Sequence, residues 1–423
     1  MTAQFRVDNG GVGTVVARRL VLADAAYQYT LTPVTAAPVI VAELVPEEGA
    51  GARAVEYLRG GDTVARAVTV LDAADRARAL ALPAEPMATW VGTGLDEAFT
   101  DHLRTALVES GQASTSGVTG EGLAALGPVM LLRTHVRARQ PYTEVLMCTR
   151  IRTIGTLFVR VAQFDHAADA SLGEIVTAAF KQGTELEDFV RIEGNAYLRY
   201  EDDIEIEEKV TLVDDAPIWP LTKSMWTAVE NGMFPGFITD PGYELTRGHF
   251  VQYNFEVLAP DDEVGHYAFQ KRADGVYHLK MKKFAKDSLR RVETFRPGVE
   301  IPGDGLEGYL AREFPGLSFR QLPGLRRTKF DINVQSVTTG HCFGIETDEV
   351  TLSDGSGRKM RQVETEYLET RRHAGMDGAS IDAELGRLTD LVEAHLAGLG
   401  IAADRGLYSK LSFLRDCSQS SDR

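Results

Sequence analysis

The sequence predicts an α+β protein in two parts: an amino-terminal α+β domain, followed by a carboxy-terminal β-barrel with peripheral helices. The chain has 423 residues, which is the length of about two ordinary domains. With 44% hydrophobic and 25% charged residues, it has the composition of a globular protein with a sizeable core. From about residue 200 onward, many short β-like runs carry charged residues at alternate positions, which indicates strands with one polar face.

In the first part, β-like runs lie on both sides of a helical pattern. The helical pattern is found at 92–110, where Leu95, Phe99, Leu103 and Leu107 recur at four-residue spacing. Mixed strands and helices of this kind predict an α+β domain. The β-like runs cover 12–23, 37–45, 128–137, 143–152 and 156–164.

A second helical pattern, over 170–191, ends the first part of the chain. Gly183 lies inside this pattern and is predicted to break the helix. We place the domain boundary near residue 195. Residues 1–195 are then a domain whose role the sequence does not identify, and residues 196–423 form the second domain.

The second part contains about eight β-like runs separated by turn signals and helical patterns. Sequential strands with alternating charge predict a barrel with a polar interior. The runs lie near 204–212, 249–257, 266–272, 276–284, 288–296, 327–336, 342–352 and 359–369. Helices are predicted at 218–232, 305–314 and 380–397, where Ser380 is the predicted cap of the last helix and Gly398 its predicted end.

The charge balance limits the classes of partner. The chain has 45 Lys and Arg against 61 Asp and Glu, so its formal charge is −16. General electrostatic attraction to nucleic acid or to an anionic membrane is therefore not expected. An anionic ligand has to be met by a local group of basic side chains, with a metal ion as the expected companion.

Cysteine usage and hydropathy predict a soluble, cytoplasmic protein. Cys148, Cys342 and Cys417 are far apart in the chain and have no metal-ligand spacing, which argues against a disulfide framework and against a zinc site. The first ten residues lack the pattern of a signal peptide. No apolar run reaches the roughly 18 residues that a membrane-spanning helix needs.

The strongest chemical signal is the run Glu205-Ile206-Glu207-Glu208-Lys209. Side chains alternate along a strand, so Glu205, Glu207 and Lys209 share one face. The alternative is an ordinary solvated edge with mixed charges. A second row, in which Glu364 and Glu366 share a face of the last predicted strand, favours a functional role for the first. Two carboxylate pairs facing one lumen would repel each other without a cation between them, and oxygen ligands alone favour Mg²⁺ or Mn²⁺.

Basic strands lie between the two acidic rows. Lys280 and Lys282 share one face of their run, together with His278, and Arg327 and Lys329 share a face further on. An exposed sheet face is the alternative explanation for these rows. If they face the lumen, they require water or a bound polyanion, because isolated buried charge is strongly disfavoured. A metal-bound polyphosphate is the simplest ligand that satisfies both acidic and basic rows.

The order of these rows resembles the CYTH, or triphosphate tunnel metalloenzyme, superfamily over about residues 200–415. Its pattern is E-x-E-x-K on the first strand of an eight-stranded antiparallel tunnel, then basic strands, an acidic E-x-E strand and a late Lys. The matching positions in this chain are Glu205, Glu207, Lys209, Lys280, Lys282, Arg291, Glu293, Arg327, Lys329, Asp348, Glu364, Glu366 and Lys410.

The resemblance implies a division of roles inside the tunnel. Basic side chains hold the phosphates, namely Lys280, Lys282, Arg291, Arg327, Lys329 and Lys410. Carboxylates hold Mg²⁺ or Mn²⁺, namely Glu205, Glu207, Asp348, Glu364 and Glu366. The signature residues Glu205, Glu207 and Lys209 are the predicted catalytic group.

The resemblance implies a metal-dependent hydrolase acting on a triphosphate or a related phosphoanhydride, either nucleotide or inorganic. The chain departs from the family pattern on two strands: Asn254 and Glu256 stand where a D-T pair is common, and Lys271 and Arg272 replace an alternating Arg pair. A nucleotidyl cyclase, a diphosphate-releasing lyase and a polyphosphate or nucleotide sensor remain alternatives. The sequence leaves the oligomeric state open.

A second basic row occurs in the first domain, where Arg133, His135 and Arg137 share one face of a predicted strand. The row is compatible with a second anion site. Rows of this kind are more often solvated faces.

Overall fold

The computed structural model shows an α+β protein that divides into two compact units. The first unit comprises Met1–Leu198, Ser336–Gly340 and Thr370–Gly375, and the second comprises Arg199–Gln335, His341–Glu369 and Met376–Arg423. The structure describes residues 14–24, 39–46, 51, 53–71, 77–82, 86–109, 123–191, 197–240, 245–260, 265–272, 274–283, 290–371 and 376–421.

The first unit is built on a nine-stranded antiparallel sheet. Its elements are β1 (Thr14–Asp24), β2 (Val39–Leu44), β3 (Val55–Leu58), β4 (Val64–Leu71), β5 (Ala77–Leu80), β6 (Met87–Ala88), β7 (Trp90–Val91), β8 (Gly94–Leu95), α1 (Glu97–Glu109), β9 (Leu126–Arg137), β10 (Gln140–Arg152), β11 (Gly155–Asp165), α2 (Leu172–Arg191) and β12 (Tyr197–Leu198). The strand order is β3-β11-β10-β9-β1-β2-β4-β5, and β6 pairs with β4.

Helix α1 contributes the predicted apolar face to the core of this unit. Phe99, Leu103 and Leu107 are fully buried and belong to one cluster with the sheet residues Leu20 and Phe158. The four-residue spacing places these side chains on one stripe of the helix, which is why the helix packs on the sheet.

Helix α2 passes through Gly183 without a break, so the predicted interruption is wrong. A Cβ atom at Gly183 would lie 2.6 Å from the Sδ of Met147 on β10. The glycine is therefore a point of close approach between helix and sheet, and its missing side chain serves packing instead of ending the helix.

The basic row on β9 is buried, so a solvated face is the wrong explanation for Arg133 and His135. Both side chains are fully buried. Nη1 of Arg133 lies 3.3 Å from Glu144, its Nε lies 3.3 Å from Glu56, and His135 Nε2 lies 2.8 Å from Glu144 Oε2. These charges are neutralised within the sheet, as buried charge requires.

The second unit contains the remaining elements. They are β13 (Ile204–Leu212), α3 (Ile218–Glu230), β14 (Phe237–Thr239), β15 (Thr246–Ala259), β16 (Gly265–Lys271), β17 (Tyr277–Lys283), β18 (Arg290–Val299), α4 (Gly305–Glu313), β19 (Ser318–Ser336), β20 (His341–Leu352), β21 (Lys359–Arg371), α5 (Gly378–Gly398), β22 (Ala403–Gly406) and α6 (Lys410–Ser421).

Eight of these strands form a closed antiparallel barrel, which confirms the predicted fold. The ring runs β13-β18-β17-β16-β15-β19-β20-β21, and it closes because β21 pairs with β13 as well as with β20. The closing register places Glu207 opposite Glu366 and Lys209 opposite Glu364. Closure therefore brings together the two acidic rows that are most distant along the chain.

Helices pack on the apolar outer surface of the barrel. Helices α3 and α5 cover the outward residues of β13, β19, β20 and β21, such as Val210 and Ile345. Helix α4 contributes Tyr309 and Leu310 to a second cluster, and α6 contributes Leu411 and Leu414 to a third. Alternation along each strand thus puts apolar side chains outside and polar side chains inside.

The start of α5 differs from the prediction. Asp377 is the N-terminal cap, and its side chain accepts a hydrogen bond from the backbone N–H of Ala379. Ser380 lies inside the first turn and donates to the carbonyl of Asp377. The helix ends at Gly398, as predicted.

Within the described part of the chain, none of the helices has the length and hydropathy that would let it cross a membrane.

We predict that the outer core of the barrel carries a large part of its stability. Phe269 on β16 is fully buried, so Phe269→Ala should lower the free energy of unfolding by about 3–5 kcal/mol through lost contacts and a cavity. Phe295 on β18 is 53% exposed, so Phe295→Ala is the matched control and should cost less than about 1 kcal/mol. Urea denaturation followed by tryptophan fluorescence measures both, and equal losses would contradict the assignment of the core.

Candidate functional site

The inside of the barrel contains a cavity of about 690 Å³, including its open mouth. Seven basic and four acidic side chains line it, and the remaining lining residues are neutral. The basic residues are Lys209, Lys280, Lys282, Arg291, Arg327, Lys329 and Lys410, and the acidic residues are Glu205, Glu346, Glu364 and Glu366.

The signature residues on β13 point inward, as the alternation predicts. Glu205, Glu207 and Lys209 are each at most 3% exposed, and they belong to the polar interior. Nζ of Lys209 lies 2.6 Å from Glu207 Oε1 and 2.6 Å from Glu364 Oε1 on β21. Burial lowers the pKa of Lys209, but these two carboxylates outweigh burial and raise it, so the lysine stays charged between them.

The lysines of β17 face the same interior and neutralise Glu205. Nζ of Lys282 lies 2.5 Å from Glu205 Oε2, and Nζ of Lys280 lies 3.6 Å from Glu205 Oε1 and 2.8 Å from Glu293. Burial would raise the pKa of Glu205, yet Lys282 and Lys280 hold it below its usual value. The same two lysines overcome burial at Glu293 and lower its pKa to about 2.

Strands β19 and β20 add a second group of paired charges. Arg327 donates from Nε and Nη2 to the two carboxylate oxygens of Asp348, at 2.7 and 2.5 Å. Lys329 donates to Glu346 at 2.8 Å. Helix α6 supplies Lys410 from its first residue, and Nζ of Lys410 lies 2.8 Å from Asp348 and 2.7 Å from Glu364.

Glu366 is the exception to this pairing. Among the residues that the structure describes, none forms an ion pair or hydrogen bond with it. Burial raises the pKa of Glu366 well above its usual value, and the carboxylates of Glu346, Glu205 and Glu207 raise it further. A cavity-lining carboxyl surrounded by other carboxyls is a group that a cation would stabilise.

The carboxylates of the interior fit a hard divalent metal ion. Ligand oxygens of Glu346, Asp348 and Glu364 all lie within 4.8 Å of one another. Glu366 adds a fourth carboxyl that lines the same cavity. An all-oxygen, carboxylate-rich donor set suits Mg²⁺ or Mn²⁺ and does not suit zinc.

The structure brings the predicted site residues together in one barrel interior, but not all of them line the cavity. Glu207 and Asp348 are buried but do not line the cavity. Glu207 pairs with Arg291 at 3.0 Å, and Asp348 pairs with Arg327. The other predicted residues all line it. His278, which shares a face with Lys280, is hydrogen-bonded to Arg272 and does not line the cavity.

Sequence reasoning missed two groups of residues. Glu346 lies two residues before Asp348 on β20, and the same alternation rule could have identified it. The neutral residues Gln252, His266 and Gln270 also line the cavity. They carry no charge pattern, so only the three-dimensional arrangement reveals them.

Comparisons with known proteins give only distant structural similarities. No family model and no curated protein matches the chain. HpAC1 from Hippeastrum, described as having a dominant triphosphatase activity, is 17% identical, and the match covers 50% of this chain and 95% of that one at a TM-score of 0.31. The RNA triphosphatase domain of a mimivirus mRNA capping enzyme is 10% identical, with 46% and 91% covered and a TM-score of 0.25.

A third solved structure, the RNA triphosphatase Pct1 of S. pombe, is 11% identical, with 47% of this chain and 82% of that chain covered at a TM-score of 0.20. Similarity at this level does not assign a function. The function of the chain has to be inferred from the geometry of the site.

We predict that Glu366 destabilises the metal-free protein when it is ionised. Its raised pKa means that the fold favours the neutral form, so stability is lost as the pH rises through that pKa. With a chelator present, Glu366→Gln should therefore raise the melting temperature at pH 8, and the gain should shrink as the pH is lowered toward 5. Thermal unfolding across this pH range is the measurement.

Glu364→Gln is the matched comparison, because the two glutamates lie two residues apart on β21. Burial would raise the pKa of Glu364, but Lys209, Lys410 and Arg327 hold it well below its usual value. The ionised form therefore stabilises the fold throughout this pH range. Removing it should cost about 3–5 kcal/mol, because buried cations lose their partner. Changes of the same sign in both variants would contradict the description of the site.

Proposed function

We propose that the chain is a divalent-metal-dependent phosphohydrolase that acts on a triphosphate or a related phosphoanhydride inside the barrel of the second unit. One observation carries the proposal: seven basic side chains line the same cavity as Glu346 and Glu364, two members of a carboxylate cluster that fits a metal ion. Condensed phosphate is a ligand that uses both the cationic wall and a bound metal.

The ion pairs of the interior support this proposal, because they hold the cations for phosphate and the carboxylates for a metal side by side, with their charges neutralised. Lys282 pairs with Glu205, Arg327 with Asp348, and Lys410 with Glu364. Binding of a divalent ion to the carboxylates would take part of this compensation from the cations, which could then bind phosphate oxygens.

The residues proposed to hold the metal are Glu346, Asp348 and Glu364, with Glu207 and Glu366 as further candidates from the sequence. When bound, a divalent ion would polarise the phosphoanhydride and neutralise charge on the transferred phosphoryl group. Lys209 touches two of these carboxylates and is proposed to position them. The basic residues Lys280, Lys282, Arg291, Arg327, Lys329 and Lys410 are proposed to bind the phosphate chain.

Glu205 is proposed to accept the proton of the attacking water. The sequence predicts both a metal-binding and a catalytic role for this residue, and its contacts favour the second. Lys282 and Lys280 now hold its pKa down. When these lysines turn toward a bound phosphate, the pKa of Glu205 rises, and its carboxylate becomes a better base.

We predict that the 423-residue protein releases orthophosphate from inorganic tripolyphosphate or ATP in the presence of Mg²⁺ or Mn²⁺. A chelator should abolish the release. Glu205→Gln should lower kcat by about 10²-fold or more, because the carboxylate that accepts the proton is lost. Phosphorus NMR identifies the products. With ATP, pyrophosphate released without AMP would indicate a cyclase or lyase and would contradict hydrolysis, whereas hydrolysis of tripolyphosphate itself yields one pyrophosphate with each orthophosphate.

The control for this variant is Glu300→Gln, which changes an exposed glutamate of the same unit. It should keep the activity of the unmodified protein. If Glu205→Gln remains as active as Glu300→Gln, the proposed role of Glu205 is wrong.

A second prediction concerns Lys282. Lys282→Met removes a cation that faces the cavity but keeps the length of the side chain, so KM for the phosphate substrate should rise about tenfold or more. Lys271→Met, at an exposed position on the neighbouring strand β16, is the control and should leave KM unchanged. Steady-state kinetics at fixed Mg²⁺ measures both variants. An unchanged KM for Lys282→Met would show that this lysine does not bind phosphate.

A further inference from the structure

The wall of the cavity formed by β15 and β16 differs in chemistry from the rest. Its lining residues are Gln252 on β15 and His266, Ala268 and Gln270 on β16, and none has a formal charge when the histidine is neutral. Burial lowers the pKa of His266 to about 3, and Lys282 and Lys410 contribute to the shift, so the imidazole is neutral at ordinary pH. The described charged lining residues come from other strands and from α6.

A chain of hydrogen bonds fixes which atoms of this wall are acceptors. Asn254 Nδ2 donates to the carbonyl oxygen of Pro323 at 3.0 Å, and this carbonyl can only accept. Asn254 Oδ1 is therefore the atom that faces Gln252 Nε2 at 2.6 Å and His266 Nε2 at 3.1 Å. Both of these nitrogens must donate.

The hydrogen-bonding roles of the remaining polar atoms of the wall follow from this arrangement. With Nε2 protonated, His266 Nδ1 of the neutral ring carries a lone pair. Gln252 Oε1 is likewise an acceptor. Neither atom has a hydrogen-bond partner among the described residues, and the amide of Gln270, directly opposite Gln252 in the register, has none either. The wall thus has two neutral acceptor atoms without a partner among the described residues, His266 Nδ1 and Gln252 Oε1, beside the Gln270 amide, which can accept as well as donate.

Neutral acceptors do not suit an ionised phosphate chain, whose oxygens are themselves acceptors and offer no proton. They suit hydroxyl or amino groups. We infer that the β15–β16 wall is a specificity site for the organic part of the substrate, so that the proposed enzyme prefers an organic phosphoanhydride with hydroxyl or amino donors, such as a nucleoside triphosphate, over inorganic triphosphate. This inference rests on the proposed function and names its substrate class.

The test compares ATP with inorganic tripolyphosphate on the full-length protein at fixed Mg²⁺. The unmodified protein should have the higher kcat/KM for ATP. Gln270→Met removes an amide that makes no contact within the described structure, so the fold should be retained. KM for ATP should rise about tenfold, as expected for the loss of a hydrogen bond in a polar site, while KM for tripolyphosphate should change less than about twofold.

A second variant, His266→Leu, removes the acceptor Nδ1 together with the donor to Asn254, and it should show the same selective loss. Gln321→Met, at an exposed position on β19, is the control and should leave both substrates unchanged. The inference is overturned if tripolyphosphate is preferred, or if both wall variants affect the two substrates equally. An equal effect would mean that the wall contacts water or phosphate common to both.

Calorimetric binding separates this inference from the proposed function. The non-hydrolysable analogue AMP-PNP and inorganic imidotriphosphate are titrated into the unmodified protein and into Gln270→Met. Weakened binding of AMP-PNP alone would support the specificity site even if neither natural substrate is hydrolysed. Hydrolysis of tripolyphosphate without any preference for the nucleotide would leave the proposed function intact and reject the specificity site.

Discussion

Mutual neutralisation of opposite charges inside a closed barrel is the constraint on which the second unit depends. A buried ion costs several kcal/mol of desolvation unless an oppositely charged partner is held against it. Lys209 lies between Glu207 on its own strand and Glu364 on the neighbouring strand β21. Arg327 lies against Asp348 on the neighbouring strand β20, so both cations meet this requirement. The interior is mostly polar, and most of the apolar residues that stabilise the barrel lie on its outer surface, where the helices pack.

This division of roles explains why the carboxyl of Glu366 can remain without a partner among the described residues. The outer clusters contribute the hydrophobic stabilisation, so the side chains of the interior do not have to form an apolar core. Glu366 faces other carboxyls and has a raised pKa, which is a strained arrangement in the metal-free protein. Such arrangements persist at functional sites because the surrounding structure holds them in place.

Alternation along the strands made the barrel and the inward-facing charges predictable from the sequence. The run containing Glu205 and Lys209 is a strand with the predicted bounds, and the two rows face one interior. Which charged residues form ion pairs with each other was not predictable, because the pairing depends on the order of the strands around the ring and on their register. The neutral acceptors around His266 have no signal in the sequence. The prediction at Gly183 was wrong because a glycine is needed there for close packing against Met147 on β10, which the local sequence does not show.

Ring closure has a consequence for biosynthesis. The barrel is closed by β13 and β21, the first and last strands of the ring, and Lys410 comes from a helix still further along the chain. During synthesis β13 can pair with β18 as soon as that strand is made, and Lys282 and Arg291 then neutralise Glu205 and Glu207. Its other edge, where Lys209 meets Glu364, stays open until β21 is made, so the site is completed only after the last strand and the helix that carries Lys410 have been synthesised.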